Sequence, residues 1–360
     1  MRSIGDCFDA KRNNFNVLRL AAAILVLFSH SYPLTGSPYE PIYALFGGYD
    51  TGGGIAVITF FVISGFLITR SAEHQSSGDF LKARVLRIVP ALATVVLIQY
   101  LILGPVFTTQ TALRYFASGI LHLKTAFVFF PVFGLPGVFS DLPIPAVNGS
   151  LWTLPVEAFF YLVTGILAVV SHSYRRTILI ALIVTLAAFV VMSLTGFGPS
   201  HGGPKIFFGV KAYEGAKFGS YFYLGGAAWV FRDKIPMHPL IGAAAVVALV
   251  WGANAPFPFK DTVLMISFSY IVMLLAVWTP VRLSFVSSRA DISYGTYLYA
   301  FPVQQTIVAV AGVGITATHL TLLAVPPTLL FAWLSSILIE QPALRLKKMS
   351  IARIPVAQEV

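Results

Sequence analysis

The chain has 360 residues, of which 57% are hydrophobic and only 11% are charged, and its mean hydropathy is +0.81. Soluble domains carry about 25% charged residues, so this composition excludes an ordinary soluble enzyme and predicts a protein embedded in a lipid bilayer. The net charge of +10 comes without a basic tract or zinc-ligand spacing, so no nucleic-acid partner is expected, and a single cysteine excludes an internal disulfide.

Hydropathy predicts an all-α, polytopic transmembrane helix bundle of about ten spans, forming one membrane-embedded domain over residues 1–360. The first span carries its own ionisable residues and is not followed by a small-x-small cleavage site, so we interpret it as a retained helix and not as a signal peptide. The second and sixth spans are short. The predicted spans are 16–34, 54–70, 88–107, 151–171, 177–196, 218–232, 238–253, 262–280, 292–312 and 319–339.

Lysine and arginine residues predict the orientation of these spans. With the N terminus inside, 18 of the 24 Lys and Arg residues fall on the inner side of the membrane. Because cytoplasmic loops are enriched in Lys and Arg, both termini are predicted to be cytoplasmic. The longest outer connection, 108–150, is rich in Pro, Phe and Gly, which is typical of an interfacial or re-entrant segment.

Arg19 and His30 stand eleven residues apart in the first span, NVLRLAAAILVLFSHSYPL. This spacing places them on nearly the same helical face, about 16 Å apart along the axis. Ionisable groups at membrane depth are costly and suggest function by default. The alternative is that Arg19 anchors the helix end while His30 hydrogen-bonds a neighbouring carbonyl.

Arg84 and Arg87 lie three residues apart at the predicted cytoplasmic entry of the third span. They therefore share a helical face, and paired guanidiniums suit bidentate binding of phosphate groups. The alternative is ordinary anchoring of a cytoplasmic helix end.

Glu157 lies one to two turns into the fourth span, in NGSLWTLPVEAFFYLV, and is predicted to lie nearer the outer than the inner face. A carboxylate there needs a partner, a proton or access to water. It is a candidate general base, counter-ion or structural hydrogen-bond acceptor. Trp152 fits an aromatic belt and is a candidate for substrate contact, without a catalytic role.

The segment DISYGTYLYAFPVQQ, 291–305, opens the ninth span, and Glu340-Gln341-Pro342 closes the last one. Tyr297 and Gln304 are candidates for lining a polar, substrate-binding interior, although such residues also serve as hydrogen bonds between membrane helices. The seven histidines show no helical metal-ligand spacing, so no metal site is expected.

Together these stretches resemble the acyltransferase 3 family of integral-membrane O-acyltransferases. The resemblance rests on the Arg19-to-His30 spacing, FFVISGFLI, Arg84-x-x-Arg87, SLWTLPVEAFFY, SYGTYLYAFPVQQ and Glu340-x-Pro342, in this order along nearly the whole chain. The chain looks like the stand-alone form, without the SGNH hydrolase-like domain of some relatives. It departs from many relatives at Ala300, where His is common, and at Pro155 and Ala158, which leave Glu157 as the only acid of its segment.

The resemblance implies a multi-pass protein of the bacterial cytoplasmic membrane that transfers an acyl group, most simply acetyl, from acyl-CoA to a hydroxyl. The acceptor would be a surface or exported glycan, or a small molecule such as a macrolide. Arg84 and Arg87 would hold the CoA phosphates, Arg19 would orient the donor, and His30 would act as general base or carry the acyl group itself. The competing class is a transporter or flippase for an anionic or glycan substrate, in which buried charges and broken helices are also expected.

Overall fold

The computed structural model describes residues 1–196, 204–256, 258–278, 291–312 and 314–346. Over these residues the chain is mainly helical. Besides short turns, it contains a two-stranded antiparallel hairpin of β1 (Lys205–Phe207) and β2 (Val210–Lys211). The all-α polytopic fold predicted from hydropathy is confirmed.

Each of the ten predicted spans coincides with a helix. The ten helices are α2 (Phe15–Leu34), α4 (Gly52–His74), α5 (Ser77–Ile98), α8 (Thr153–Val170), α9 (Tyr174–Leu194), α10 (Ala212–Val230), α11 (Pro239–Gly252), α12 (Phe259–Val277), α13 (Ser293–Ala311) and α14 (Ala317–Ser335). The shorter helices are α1 (Ile4–Cys7), α3 (Pro41–Leu45), α6 (Gly104–Phe107), α7 (Ala112–Gly119) and α15 (Gln341–Arg345).

Seven stretches of the described chain are long and apolar enough to cross a bilayer. They are Phe15–Leu34, Gly52–His74, Ser77–Phe107, Gly149–Val170, Tyr174–Leu194, Phe259–Val277 and Ala317–Arg345. The count of ten spans and the cytoplasmic location of both termini stay predictions. Five basic residues counted for the orientation lie outside the described residues: Arg282, Arg289, Lys347, Lys348 and Arg353.

The second, third and sixth spans begin earlier than predicted, and neither the second nor the sixth is short, since α10 has 19 residues. Helix α4 has 23 residues and begins after Thr51, whose side chain accepts a hydrogen bond from the Gly54 N–H at 3.1 Å. Helix α5 begins at Ser77, because the Ser76 hydroxyl caps it by accepting from the Asp79 N–H. Polar caps thus extend both helices beyond the apolar stretches that hydropathy detects.

Helix α4 lies at the centre of the bundle, and α9 lies at its edge. In the most apolar stretch of each, 78% of residues are buried for α4 and 11% for α9. Helix α4 packs against α10 with backbones almost in contact, since a Cβ on Gly65 would overlap the Phe222 carbonyl and one on Gly225 would overlap the Val62 carbonyl. Small residues allow this approach between membrane helices.

The connection 108–150 is folded against the extension of α5. It contains α7 and a 3₁₀ segment, Ile120–Phe127, and the π-helical residues Gln99–Leu103 join α5 to α6. His122 is buried, with its Nε2 2.9 Å from Gln99 Oε1. Burial lowers the pKa of His122 to about 4, so its imidazole is neutral.

Candidate active site

Two cavities occupy the centre of the bundle, and the first contains two arginines. This arginine cavity has a volume of about 70 Å³ and lies between α2, α4, α5, α8 and α13. Its polar lining residues are Arg19, Ser64, Arg87, Thr153, Glu157, Tyr161, Ser293, Tyr294 and Tyr297.

Arg87 is held by two carboxylates. Its Nη2 lies 2.5 Å from Asp291 Oδ2, and its Nη1 lies 3.2 Å from Glu340 Oε2. Arg19 Nη1 lies 4.0 Å from the same Asp291 oxygen, and its Nη2 lies 3.5 Å from Ser64 Oγ. We call Arg87, Asp291 and Glu340 the arginine clasp; it fixes one guanidinium at the cavity wall.

Arg84 has different surroundings from Arg87. Its guanidinium lies over the Phe80 and Tyr161 rings, at 5.7 and 5.9 Å from their centroids, and it does not line the arginine cavity. Because Arg87 is already paired with two carboxylates, the structure does not bring the two guanidiniums together as an open phosphate fork. The shared helical face predicted for them is present, but their side chains have separate partners.

Glu157 accepts two hydrogen bonds inside the arginine cavity. Ser64 Oγ donates to Glu157 Oε1 at 2.8 Å, and Tyr161 Oη donates to the same oxygen at 2.5 Å. The carboxylate therefore connects α8 to α4 and lies with Arg19 and Arg87, not with His30. Glu157 lies in the second turn of α8, as predicted, and its depth relative to the outer face stays a prediction.

His30 lines a second cavity of about 660 Å³, which we call the histidine cavity. The imidazole is half-buried, its Nδ1 lies 3.5 Å from Ser150 Oγ, and its ring packs edge-on against Phe301. An ion pair between Lys217 and Asp50, 3.0 Å long, lines the same cavity. Arg19 and His30 thus belong to one helix but to different cavities.

Tyr297 and Val57 line both cavities and therefore separate them. Tyr297 Oη donates to the Ser150 carbonyl and accepts from Thr153 Oγ1 at 2.7 Å. These bonds fix the phenol at the junction, beside the residue that contacts His30.

Trp152 lines the histidine cavity, whereas Gln304 lines neither cavity. Gln304 Nε2 donates to the Leu27 carbonyl and to Ser31 Oγ, each at 2.8 Å, which ties α13 to α2. A substrate contact for either residue stays a prediction.

Asp291 and Glu340 belong to segments that the sequence analysis singled out, but no sequence pattern identified them as partners of Arg87. The only available signal was that a buried arginine requires carboxylates. Within the described ranges, no group of three or more His, Cys, Asp or Glu side chains is arranged to hold a metal ion.

Comparison with known proteins gives a consistent family assignment. The profile of the acyltransferase domain family matches residues 12–337. An O-acetyl transferase of Shigella phage Sf6 is 35% identical over 306 residues, which cover 83% of this chain and 86% of that protein. Nodulation protein 10 of Rhizobium leguminosarum bv. viciae is 30% identical over 364 residues, which cover 95% and 96%.

A peptidoglycan O-acetyltransferase of Listeria monocytogenes is 23% identical over 344 residues, which cover 83% of this chain but 53% of that longer protein. No solved structure matches the chain significantly. The profile match and the phage and Rhizobium relatives extend over most of the chain, and the profile match includes the lining residues of both cavities. The chain therefore belongs to the acyltransferase 3 family and is a multi-pass membrane O-acyltransferase.

Proposed function

We propose that this protein transfers an acetyl group from cytoplasmic acetyl-CoA to a hydroxyl group of a glycan on the other side of the membrane. The observation that supports this most is the pair of cavities that share Tyr297 and Val57. In the predicted orientation, the arginine cavity is nearer the cytoplasm and the histidine cavity is nearer the outside. A donor and an acceptor that enter from opposite faces would meet at Tyr297.

The size of the arginine cavity limits which part of the donor it accepts. A volume of about 70 Å³ fits an acyl group and its thioester but not a nucleotide. The nucleotide of acetyl-CoA would therefore remain nearer the cytoplasmic surface. Arg19 and Arg87 would place positive charge beside the thioester carbonyl, where negative charge develops during acyl transfer.

His30 is the group that would take the proton of the acceptor hydroxyl. In this step the hydroxyl oxygen forms a bond to the acyl carbon and the carbon–sulfur bond breaks. The hydroxyl proton passes to His30 and then to the departing CoA thiolate, so the products are the sugar ester and free CoA. The alternative, in which His30 itself carries the acyl group, uses the same residues in two steps.

The relatives support the choice of acetyl as the acyl group and of a glycan as the acceptor. The phage protein is an O-acetyl transferase, and the Listeria protein is a peptidoglycan O-acetyltransferase, so acetyl and a glycan hydroxyl are the simplest choices. The histidine cavity, at about 660 Å³, is large enough for a sugar unit.

Proteoliposomes supplied with labelled acetyl-CoA outside and surface polysaccharide of the source organism inside test this function. Protein molecules whose predicted cytoplasmic face points out of the vesicle should form an alkali-labile acetyl ester on the enclosed polysaccharide. Mass spectrometry detects this ester. His30→Ala should abolish the ester, whereas His172→Ala, which changes an exposed histidine between α8 and α9, should not. Movement of polysaccharide or acetyl-CoA across the bilayer without ester formation would instead identify a transporter.

A further inference from the structure

A third cavity, of about 640 Å³, lies next to the histidine cavity and is rich in lysine and aromatic side chains. It is formed by the connection 108–150, the β1–β2 hairpin and the first turn of α10. Its charged residues are Lys124, Lys205, Lys211 and Glu214, and its aromatic residues are Phe129, Phe130, Phe133, Trp152 and Phe208. We call it the lysine cavity.

The lysine cavity adjoins the histidine cavity. Trp152 and Glu214 line both of them. A polymeric ligand that presents one unit to His30 would therefore have the lysine cavity within reach of its neighbouring units.

The lysine cavity carries an excess of positive charge. Glu214 is the only acid in its lining, and it is paired with Lys211 at 3.5 Å. Lys124 and Lys205 are exposed, and no carboxylate of the described residues lies within ion-pair distance of either. Two ammonium groups are thus available for an anionic ligand.

The aromatic residues present ring surface to this space. Phe130, Phe133 and Phe208 are 44%, 38% and 54% exposed. Phe208 has a φ of 33°, in the left-handed region that is costly for a bulky residue, and its ring packs against that of Phe130 at 4.8 Å. Strain of this kind is often retained at binding sites, and exposed rings offer flat apolar surface to the C–H faces of sugars.

We propose that the lysine cavity binds acidic sugars of the acceptor glycan, next to the sugar that is acylated. The aromatic rings contact the sugar faces, and Lys124 and Lys205 pair with carboxylate or phosphate substituents on the glycan. This inference rests on the proposed function, because it takes the histidine cavity as the acceptor site. It specifies that the acceptor is anionic and is recognised over several sugar units.

Binding can be measured without the donor. The probe is de-acylated surface polysaccharide from the source organism, used as native fragments and as the same fragments after carboxyl reduction and dephosphorylation. Native fragments should bind the purified protein at least tenfold more tightly than neutralised ones, and added salt should weaken only the native binding. A double variant, Lys124→Gln with Lys205→Gln, should lose about tenfold in affinity for native fragments.

Arg114→Gln is the matched control, because Arg114 is an exposed basic residue of the same connection that does not line the cavity. It should bind like the wild type. In transfer assays the double variant should raise the KM for the acceptor and leave kcat and the KM for acetyl-CoA unchanged.

Equal affinity for native and neutralised fragments, or an unchanged affinity in the double variant, would overturn the inference. Binding to vesicles that contain polyprenyl diphosphate without sugar, if it were as tight as binding to the native glycan, would also overturn it in favour of a lipid head group. A failure of the proposed function can be distinguished from a failure of this inference. If the wild-type protein bound the glycan in a charge-dependent way but formed no ester, the transfer reaction would be contradicted and the glycan site in the lysine cavity would not.

Discussion

Removing the guanidinium of Arg87 should destabilise the bundle as well as stop transfer. In Arg87→Ala, Glu340 would lose its cation, and Asp291 would keep only Arg19, at 4.0 Å. Deleting one partner of a buried ion pair typically costs about 3–5 kcal/mol. The Glu340 side chain is only 3% exposed, but those of Arg87 and Asp291 are 21% and 18% exposed. We therefore expect the lower end of that range, about 3 kcal/mol.

Arg84→Ala is the matched control three residues away. Its guanidinium packs over Phe80 and Tyr161, and such cation–π contacts are worth about 0.5–2 kcal/mol. Its loss of stability should be about 1 kcal/mol. A triple variant, Arg87→Ala with Asp291→Asn and Glu340→Gln, should regain part of the stability lost in Arg87→Ala, because both carboxyl groups are then neutral while Arg19 loses its contact with Asp291. It should not regain transfer.

The unfolding free energies can be compared by titrating purified protein in mild detergent with SDS and following tryptophan fluorescence. Acyl transfer is measured on the same preparations. If Arg87→Ala were as stable as Arg84→Ala, or if the triple variant were no more stable than Arg87→Ala, the clasp would not have the energy assigned to it. A triple variant with wild-type transfer would limit Arg87 to a structural role.

Three further substitutions test other parts of the site. His30→Ala should lower transfer by about 10²–10⁴-fold while the protein still accumulates; purified variant with more than about a third of wild-type turnover would contradict the general-base role. In Glu157→Gln, the side chain can still accept hydrogen bonds from Ser64 and Tyr161 but has lost its charge. The variant should therefore raise the KM for acetyl-CoA more than the KM for the acceptor. Unchanged transfer would limit Glu157 to a structural hydrogen bond between helices. In the unfolded chain, the His122 imidazole binds a proton below its ordinary pKa of 6.5. In the folded protein, the buried imidazole stays neutral down to about pH 4. The stability it contributes is therefore complete above pH 6.5 and lost as the pH falls toward 4, so the melting temperature should decrease less between pH 7.5 and 5 in His122→Gln than in the wild type; equal decreases would refute this.

The helices were predictable because each span is a continuous apolar stretch, and hydropathy detects that directly. Their ends were less predictable. Helices α4 and α5 extend through polar residues, because Thr51 and Ser76 cap them and Arg87 of α5 pairs with carboxylates of other segments. Hydropathy alone cannot register a polar residue that is satisfied by a distant partner.

Six of the eight candidate site residues line one of the two central cavities, whereas Arg84 and Gln304 line neither, and the roles of all eight stay predictions. Arg19, His30, Arg87, Glu157 and Tyr297 all line a central cavity. The partners of Arg87 are 204 and 253 residues away along the chain, so no local spacing could pair them. For the same reason the sequence could not reveal that Glu157 lies with Arg19 instead of His30.

The close contact between α4 and α10 determines which parts of the protein can move during turnover. Where Gly65 meets the Phe222 carbonyl, there is no side-chain layer that could slide or repack. The α4 wall of both cavities, which includes Val57, is therefore fixed to α10. We therefore expect ligand entry and product exit to involve α13 or the extramembrane connections, so spin labels on α4 and α10 should keep a constant separation while labels on α13 change theirs.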